Sequence, residues 1–400
     1  MQTPILSFAM CCLIGICAVC FCTPWFSVFR RAEAVTAQSA ENIPISDNIR
    51  AVWHSGLYRK REVAAGIYWL DDETILVSAN NGPKPSTREA LREAVDWLYV
   101  WRIGDKPWPY GSDPQLAARS YCGARGEVRY QWEAKDPTTG STSRMGRQGP
   151  IGKEREVPFR DALSLGRTEN PLSIEKIDCE VYADPAMAGR HYVTDPEHRF
   201  YLDFGKDPTL AAVHAAPEEP LVLINSNGSD RTELPISNAS VRAASVYYRQ
   251  FESVFYVFNG ILTVSPINRL EQWRGSNCWP IWRIDPQAAK TEKLCIPFGP
   301  WAGVAHGGQA TAIELAPTMA GLFFSSNHIK ASEEHGFYLL RDGRVTRVLS
   351  GAVWSPITSP NGCRVAFVHI PNDEAERPLS SDIVVIDVCS ADSKVPSFSK

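Results

Sequence analysis

Six cysteines lie outside the N-terminal apolar run, and their chemistry is oxidation to cystine: Cys122, Cys179, Cys278, Cys295, Cys363 and Cys389. Cys363 precedes the apolar run Arg364 to Ile370 (RVAFVHI), and Cys389 follows Asp382 to Val388 (DIVVIDV). Pairing these runs antiparallel with their centres opposed sets Phe367 against Val385 and Cys363 against Cys389, close enough for a bridge. Folding Cys278 to Cys295 about Pro286-Gln287 opposes that pair in the same way, and Cys122 with Cys179 is left as a longer-range third bridge. The alternative is six buried free thiols. Two hairpins that each bring a cysteine pair into register favour the oxidised form, which places the domain in an oxidising compartment.

The other candidates for chemistry are few. His306 stands before Gly307-Gly308 in WAGVAHGGQA, and with Asp285, His328 or His335 it would form a metal or acid-base site, since imidazole titrates near neutrality. The competing reading is a surface histidine on a loop. Asp71, Asp72 and Glu73 form an acidic tip of the kind that binds calcium, although tight turns select Asp for their own geometry. The chain has no phosphate-binding Gly loop, no nucleophile elbow, no His-Glu-x-x-His and no zinc-type Cys/His spacing. The sequence therefore assigns no catalytic residue, cofactor or metal.

The elements that would position these residues recur. Five times an apolar strand meets a turn and then a more polar strand: Tyr99 to Ile103 into Gly104-Asp105, Leu221 to Ile236, Ile281 to Pro297, Phe337 to Val348, and Ile383 to Val395. Asn-Gly and Asp-Gly pairs favour tight hairpins because their central residues accept positive φ. Where the copies are evenly spaced they start about 45 to 60 residues apart, which suits propeller blades. Gly66 to Ser78 reads as two strands about the acidic tip, and Ile49 to Val63 offers a strand that would close a circular fold. Val128 to Trp132, Asp178 to Tyr182, Arg199 to Phe204 and Val241 to Asn259 read as further strands. Thr87 to Trp97 has apolar residues at helical spacing with Thr87 as N-cap, so it reads as a helical insertion. Asp136 to Arg155 is polar and Gly-rich and reads as a mobile loop.

With 44% apolar and 22% charged residues among 400, the chain buries a substantial core, and a net charge of -4 gives no electrostatic case for nucleic acid. Its 12 Trp residues suit packing between sheets. Pro4 to Phe29 contains no charged residue and is long enough to cross a bilayer as a helix. Residues 1–31 thus read as a membrane anchor or signal segment, 32–47 as a linker, and 48–400 as the β domain. The absence of Lys or Arg before the run favours an uncleaved anchor over a cleaved, secreted form. Arg30-Arg31 after the run argues for a cytoplasm-facing domain, and the cysteine spacing argues for the periplasm or cell exterior, which is the favoured reading.

The last repeat carries Trp354-Ser355-Pro356 and then Ser359 to Phe367 (SPNGCRVAF). This resembles the repeat of TolB-type β-propellers, in which Trp-Ser-Pro, an Asp/Asn-Gly turn and an apolar strand recur. Here Ile357 and Thr358 separate the first two parts, and Trp69 to Val77 is a weaker copy. Good matches cover about a third of the chain. The resemblance implies an all-β propeller of four-stranded blades, with six blades favoured and seven also fitting the length; a β-sandwich is the structural competitor. A rigid fold with variable loops and no assembled catalytic set points to a non-catalytic, membrane-anchored envelope scaffold that binds a protein partner. The alternatives are a metal-dependent hydrolase or lactonase at the channel mouth, and a glycan-binding module.

Overall fold

In the computed structural model the chain divides into two units, Met1–Asn42 and Ile43–Lys400. The described residues are 49–60, 66–82, 87, 90, 97–110, 121–136, 138–157, 190–195, 199–206, 220–225, 228, 230–237, 244–249, 251–259, 261–262, 278–297, 311–328, 335–371 and 380–389, all in the second unit. Residues 1–48, Asp178 to Tyr182 and His306 lie outside them.

The described strands form successive four-stranded antiparallel meanders. Strand β1 (Ala51–Lys60) comes first. Sheet I holds β2 (Ile67–Trp69), β3 (Thr74–Asn81), β4 (Trp97–Arg102) and β5 (Trp108–Pro109). Sheet II holds β6 (Tyr121–Ala124), β7 (Glu127–Lys135), β8 (Thr142–Pro150) and β9 (Arg155–Val157). Sheet III holds β10 (Arg190–Thr194), β11 (Phe200–Lys206), β12 (Pro220–Asn225) and β13 (Arg231–Ser237). Sheet IV is β14 (Ala244–Arg249), β15 (Val254–Asn259), β17 and β18, with the short β16 (Ile261–Leu262) going to the edge of the next sheet; β17 is Cys278–Asp285 and β18 is Lys290–Pro297. Sheet V is β19 (Thr311–Thr318), β20 (Gly321–His328), β21 (Gly336–Arg341) and β22 (Arg344–Ser350). Sheet VI is β23 (Ala352–Thr358), β24 (Arg364–Ile370) and β25 (Ser380–Asp387), and its fourth strand is β1 from the other end of the domain.

Alternate residues of one strand enter different cores, as expected where a sheet is covered on both faces. In β24, Val365 and Phe367 pack in the core shared with sheet V, whereas Ala366 and Val368 pack in the core shared with sheet I. In β3, Ile75, Val77 and Ala79 face sheet VI and Leu76 faces sheet II. In β15, Val254, Tyr256 and Phe258 face sheet V and Phe255 and Val257 face sheet III. Sheets III, IV, V, VI, I and II are thus stacked in that order through five described cores. Successive meanders stacked face to face, with the first strand completing the last sheet, make a propeller-type fold.

Ring closure is extensive. β1 pairs with β25 from Ala51↔Asp387 to Lys60↔Ser380 across a bulge between His54 and Tyr58. Its far end also pairs with β3 at Leu57↔Asn81 and Tyr58↔Asn80, so sheets VI and I run into one another.

Three expectations need correction, and the second strand of the fifth repeat, from 390 on, lies outside the described residues; among these, β25 pairs with β24 on one side and β1 on the other. The Gly-rich stretch 136–155 is no loop. Its residues Thr142–Pro150 form β8, paired with β7 from Lys135↔Thr142 to Glu127↔Pro150, because ladder hydrogen bonds ignore side-chain polarity. Trp97, assigned to the helical insertion, is the first residue of β4, although the Thr87 hydroxyl does accept the Ala90 N–H at 3.2 Å as an N-cap would. The register of β24 on β25 sets Phe367 opposite Val384, one residue from the centred pairing.

Candidate functional site

A meander has its odd-numbered turns at one rim and its even-numbered connections at the other. Direct contacts show that the odd turns share a rim. Gly126 N–H donates to the Leu70 carbonyl at 2.6 Å (sheets II and I), Asn361 N–H to Asp72 Oδ1 at 2.8 Å (VI and I), and Met319 N–H to the Gly362 carbonyl at 3.0 Å (V and VI). The Phe251 ring, on the β14–β15 turn of sheet IV, lies so close to Gly362 that a Cβ there would stand 2.8 Å from it. Sheets IV and VI are not neighbours, so this contact reaches past sheet V. The opposite rim receives the ends of the strands that bound 83–96, 111–120, 158–189, 207–219, 263–277, 298–310 and 372–379, the longest interruptions in the strand pattern.

On the turn rim, an open depression of about 540 Å³ is lined by Asp71, Asp72, Glu73, Thr74 and Arg102. Its acids have structural partners. Asp71 Oδ1 accepts the Glu73 N–H at 2.7 Å, and Glu73 pairs with Arg102 at 3.2 Å with both side chains more than half exposed, a geometry that contributes little. Asp72 receives Asn361 as above, and its carbonyl accepts Arg364 Nη1 at 2.8 Å. Arg364 is the centre of this seam. Its Nε donates to Asp387 Oδ2 at 3.2 Å, and its guanidinium lies 5.5 Å from the Trp53 ring centre. One side chain thus joins sheet VI, the acidic turn of sheet I and the closing strand β1. Replacing Arg364 with Met is expected to lower unfolding free energy by about 2 kcal/mol in urea titration, with Lys recovering under half of it, because an ammonium lacks the planar fork. Equal stability of the Met variant would show that the seam does not depend on this residue.

The remaining turn acids behave alike. Asp285 Oδ1 accepts the Gln287 and Ala288 N–H groups, at 2.9 and 3.0 Å. Asp195 Oδ1 accepts the Phe200 N–H at 2.7 Å. On the loop rim, the N–H groups of Thr138 and Thr139 hold the Asp136 carboxyl below the usual carboxylate range. Burial, then Glu154, pushes the Tyr110 hydroxyl far above its usual value, and burial with Glu252 does the same to Tyr256, so both phenols stay protonated near neutrality.

Of the predicted histidine site, His306 lies outside the described residues, and its three candidate partners fall at two rims. Asp285 ends β17 on the turn rim, whereas His328 ends β20 and His335 precedes β21 on the loop rim, a strand length of roughly 17–20 Å away. The His335 carbonyl accepts the Gly351 N–H at 3.2 Å. Among the described residues, no group of three or more His, Cys, Asp or Glu could hold a metal ion.

Cys363 and Cys389 form a disulfide with Cα atoms 5.0 Å apart. They lie beyond the last paired rung, Arg364↔Asp387, so the shifted register still leaves them adjacent. Cys295 is also disulfide-bonded. Its strand partner is Pro280, not Cys278, which stands opposite Pro297 on the same face two residues away; the hairpin closes through the longer turn Pro286–Ala289. Cys179 and the side chains of Cys122 and Cys278 fall outside the described residues.

Sequence reasoning missed the inner wall. Trp69 Nε1 donates to the Ile357 carbonyl at 2.9 Å, linking the inner strands of sheets I and VI. Ser355 has φ of 51° in a bulge of β23, and its N–H donates to the Glu314 carboxylate on the inner strand of sheet V. The Trp-Ser-Pro element thus marks this bulge, and Trp354 beside it is 41% exposed. Spacing alone gave no sign of Glu314 as its partner.

No protein-family model matches the chain, and no curated protein sequence matches it. Among solved structures, the apo AtxE2 isopeptidase shows 10% identity and a TM-score of 0.35 over 77% of this chain and 45% of that one. A chain of the mitotic checkpoint complex shows 8% identity and a TM-score of 0.38 over 91% and 99%. TolB from Acinetobacter baumannii shows 10% identity and a TM-score of 0.27 over 76% and 62%. The matched region is less than half of the isopeptidase and less than two thirds of TolB. The fold assignment rests on the ladders and stacked cores above.

Proposed function

We propose that this protein is a six-bladed, TolB-type β-propeller that serves as a non-catalytic, protein-binding scaffold, held to a membrane by its N-terminal apolar segment with the ring in the cell envelope. The observation that carries this reading is the difference between the two rims. Acids of the tight-turn rim are engaged in capping their own turns or bonding the next sheet, which makes that rim a structural base. The strands that bound the longest intervals of the pattern end at the opposite rim, and binding residues concentrate on loops held by a rigid frame. Four strands in each of sheets I to VI support the count of six.

A photo-crosslinking side chain at Thr138, exposed on the loop rim, is expected to give discrete higher-mass adducts in the native cell. The same group at Asp342, exposed on the turn rim, is expected to give none. Adducts confined to position 342, or none at either position, would reject the assignment.

A further inference from the structure

Among the described contacts of the closing strand, nothing covalent holds β1 to the last sheet: these contacts are its ladder to β25, the short ladder to β3, Trp53 against Arg364, and the packing of Val52, Trp53 and Leu57. The end of β25 that receives the first residues of β1 is held by its last ladder rungs to β24 and, just beyond them, by one covalent bond. Ala51 pairs with Asp387, the Arg50 N–H reaches the Asp387 carbonyl, and two residues later Cys389 is bonded to Cys363. Around that bond the Val388 N–H donates to the Cys363 carbonyl at 2.9 Å, the Cys389 N–H to Asp387 Oδ1 at 3.0 Å, and Arg364 to Asp387 Oδ2. The Val388 and Arg364 hydrogen bonds need residues 387–389 to lie against the 363–364 corner. Both cysteines are partly exposed, so an external thiolate has access.

We propose that the Cys363–Cys389 disulfide is a redox-sensitive clasp on the ring's closing seam, whose reduction by a dithiol of the thioredoxin class frees the end of β25 and loosens the first half of β1. A thiolate of the reductant attacks one cystine sulfur, forming a mixed disulfide and expelling the other cysteine as a thiolate that takes up a proton. The reductant's second thiol then closes its own disulfide and releases the remaining cysteine. Two electrons and two protons pass to the protein, which gains two thiols, and the dithiol is oxidised. Without the bond, residues 387–389 are held to the 363–364 corner by hydrogen bonds alone, and the rungs Ala51↔Asp387 and Val52↔Ile386 open more often. The location gives the bond this role: the same bridge across an interior hairpin would brace one sheet, whereas here it braces the strand that joins the two ends of the domain.

Hydrogen exchange read by mass spectrometry on the full chain, with and without dithiothreitol, tests the proposal. Reduction is expected to speed exchange at least ~10-fold at residues 50–54 and 384–388 while leaving β21 and β22 at their oxidised rates. Because Cys295 is also disulfide-bonded, the double variant Cys363→Ser/Cys389→Ser isolates the clasp and is expected to show the same local pattern without reductant. Should that variant fail to fold, partial reduction with alkylation mapping selects the wild-type species in which only Cys363 and Cys389 are alkylated, and exchange is read on that species. Unchanged exchange at 50–54 would overturn the proposal, as would an equal rise in β21 and β22, which would make the bond a general staple.

Discussion

Replacing Gly351 with alanine is expected to cost the domain about 3 kcal/mol of unfolding free energy, a large loss for the addition of one methyl group. Gly351 alone joins the outermost strand of sheet V to the innermost strand of sheet VI, so the chain must reverse there without a loop. Its φ is +97°, a region that side chains rarely adopt. An added Cβ would also stand 2.4 Å from the Ile370 carbonyl oxygen and 2.8 Å from His369 Nε2. Neither neighbour can yield cheaply: Ile370 is paired with Ala352 in the ladder, and His369 Nε2 is 2.8 Å from the Ser350 carbonyl in a hydrogen bond. Gly343 is the control. It has φ of +72° on the exposed β21–β22 turn, and a Cβ there would meet nothing within 4 Å, so Gly343→Asn should cost only a few tenths of a kcal/mol. Chemical denaturation of both variants separates backbone strain from collision, and a Gly351→Ala loss as small as that of Gly343→Asn would remove the collision from the account.

Phe367→Ala is expected to cost about 4 kcal/mol. Phe367 is fully buried in the core between sheets V and VI, with its ring centre 5.3 Å from that of Phe337 and 6.4 Å from that of His369. Val384 and Ile386 of β25 share that core, so the cavity would open beside the strand that receives β1. Phe367→Leu keeps most of the volume and should lose no more than about 1.5 kcal/mol. If Phe367→Ala lost under about 1 kcal/mol in the same denaturation measurement, the seam would have to close over the gap, which stacked ladders resist.

The runs that became strands were visible in the sequence because alternation, β-branched residues and turn chemistry act locally. Leu221 to Ile236 and Phe337 to Val348 are hairpins whose turns use Gly228 and Asp342-Gly343 at positive φ, and Ile281 to Pro297 turns with Asp285 capping it and Ala289 at positive φ. β8 escaped notice because Thr142–Pro150 supplies ladder hydrogen bonds from the backbone, and its exposed position asks little of its side chains. The closing role of 49–63 was legible as a spare strand. Its further pairing with β3 was not, since that depends on the path from sheet VI to sheet I.

What the sequence determined by itself is therefore short-range: an all-β chain, its hairpins, the acids at the turns and the nearness of Cys363 to Cys389. Tertiary structure alone decided the rest. It set Asp285 and His335 at opposite rims, brought Glu314 to the Ser355 N–H and Asp72 to Asn361 and Arg364, and pressed Phe251 against Gly362. These partners are separated by tens to hundreds of residues. They meet because each sheet buries its faces against its neighbours, and that packing is a property of the stacked sheets that no local spacing encodes.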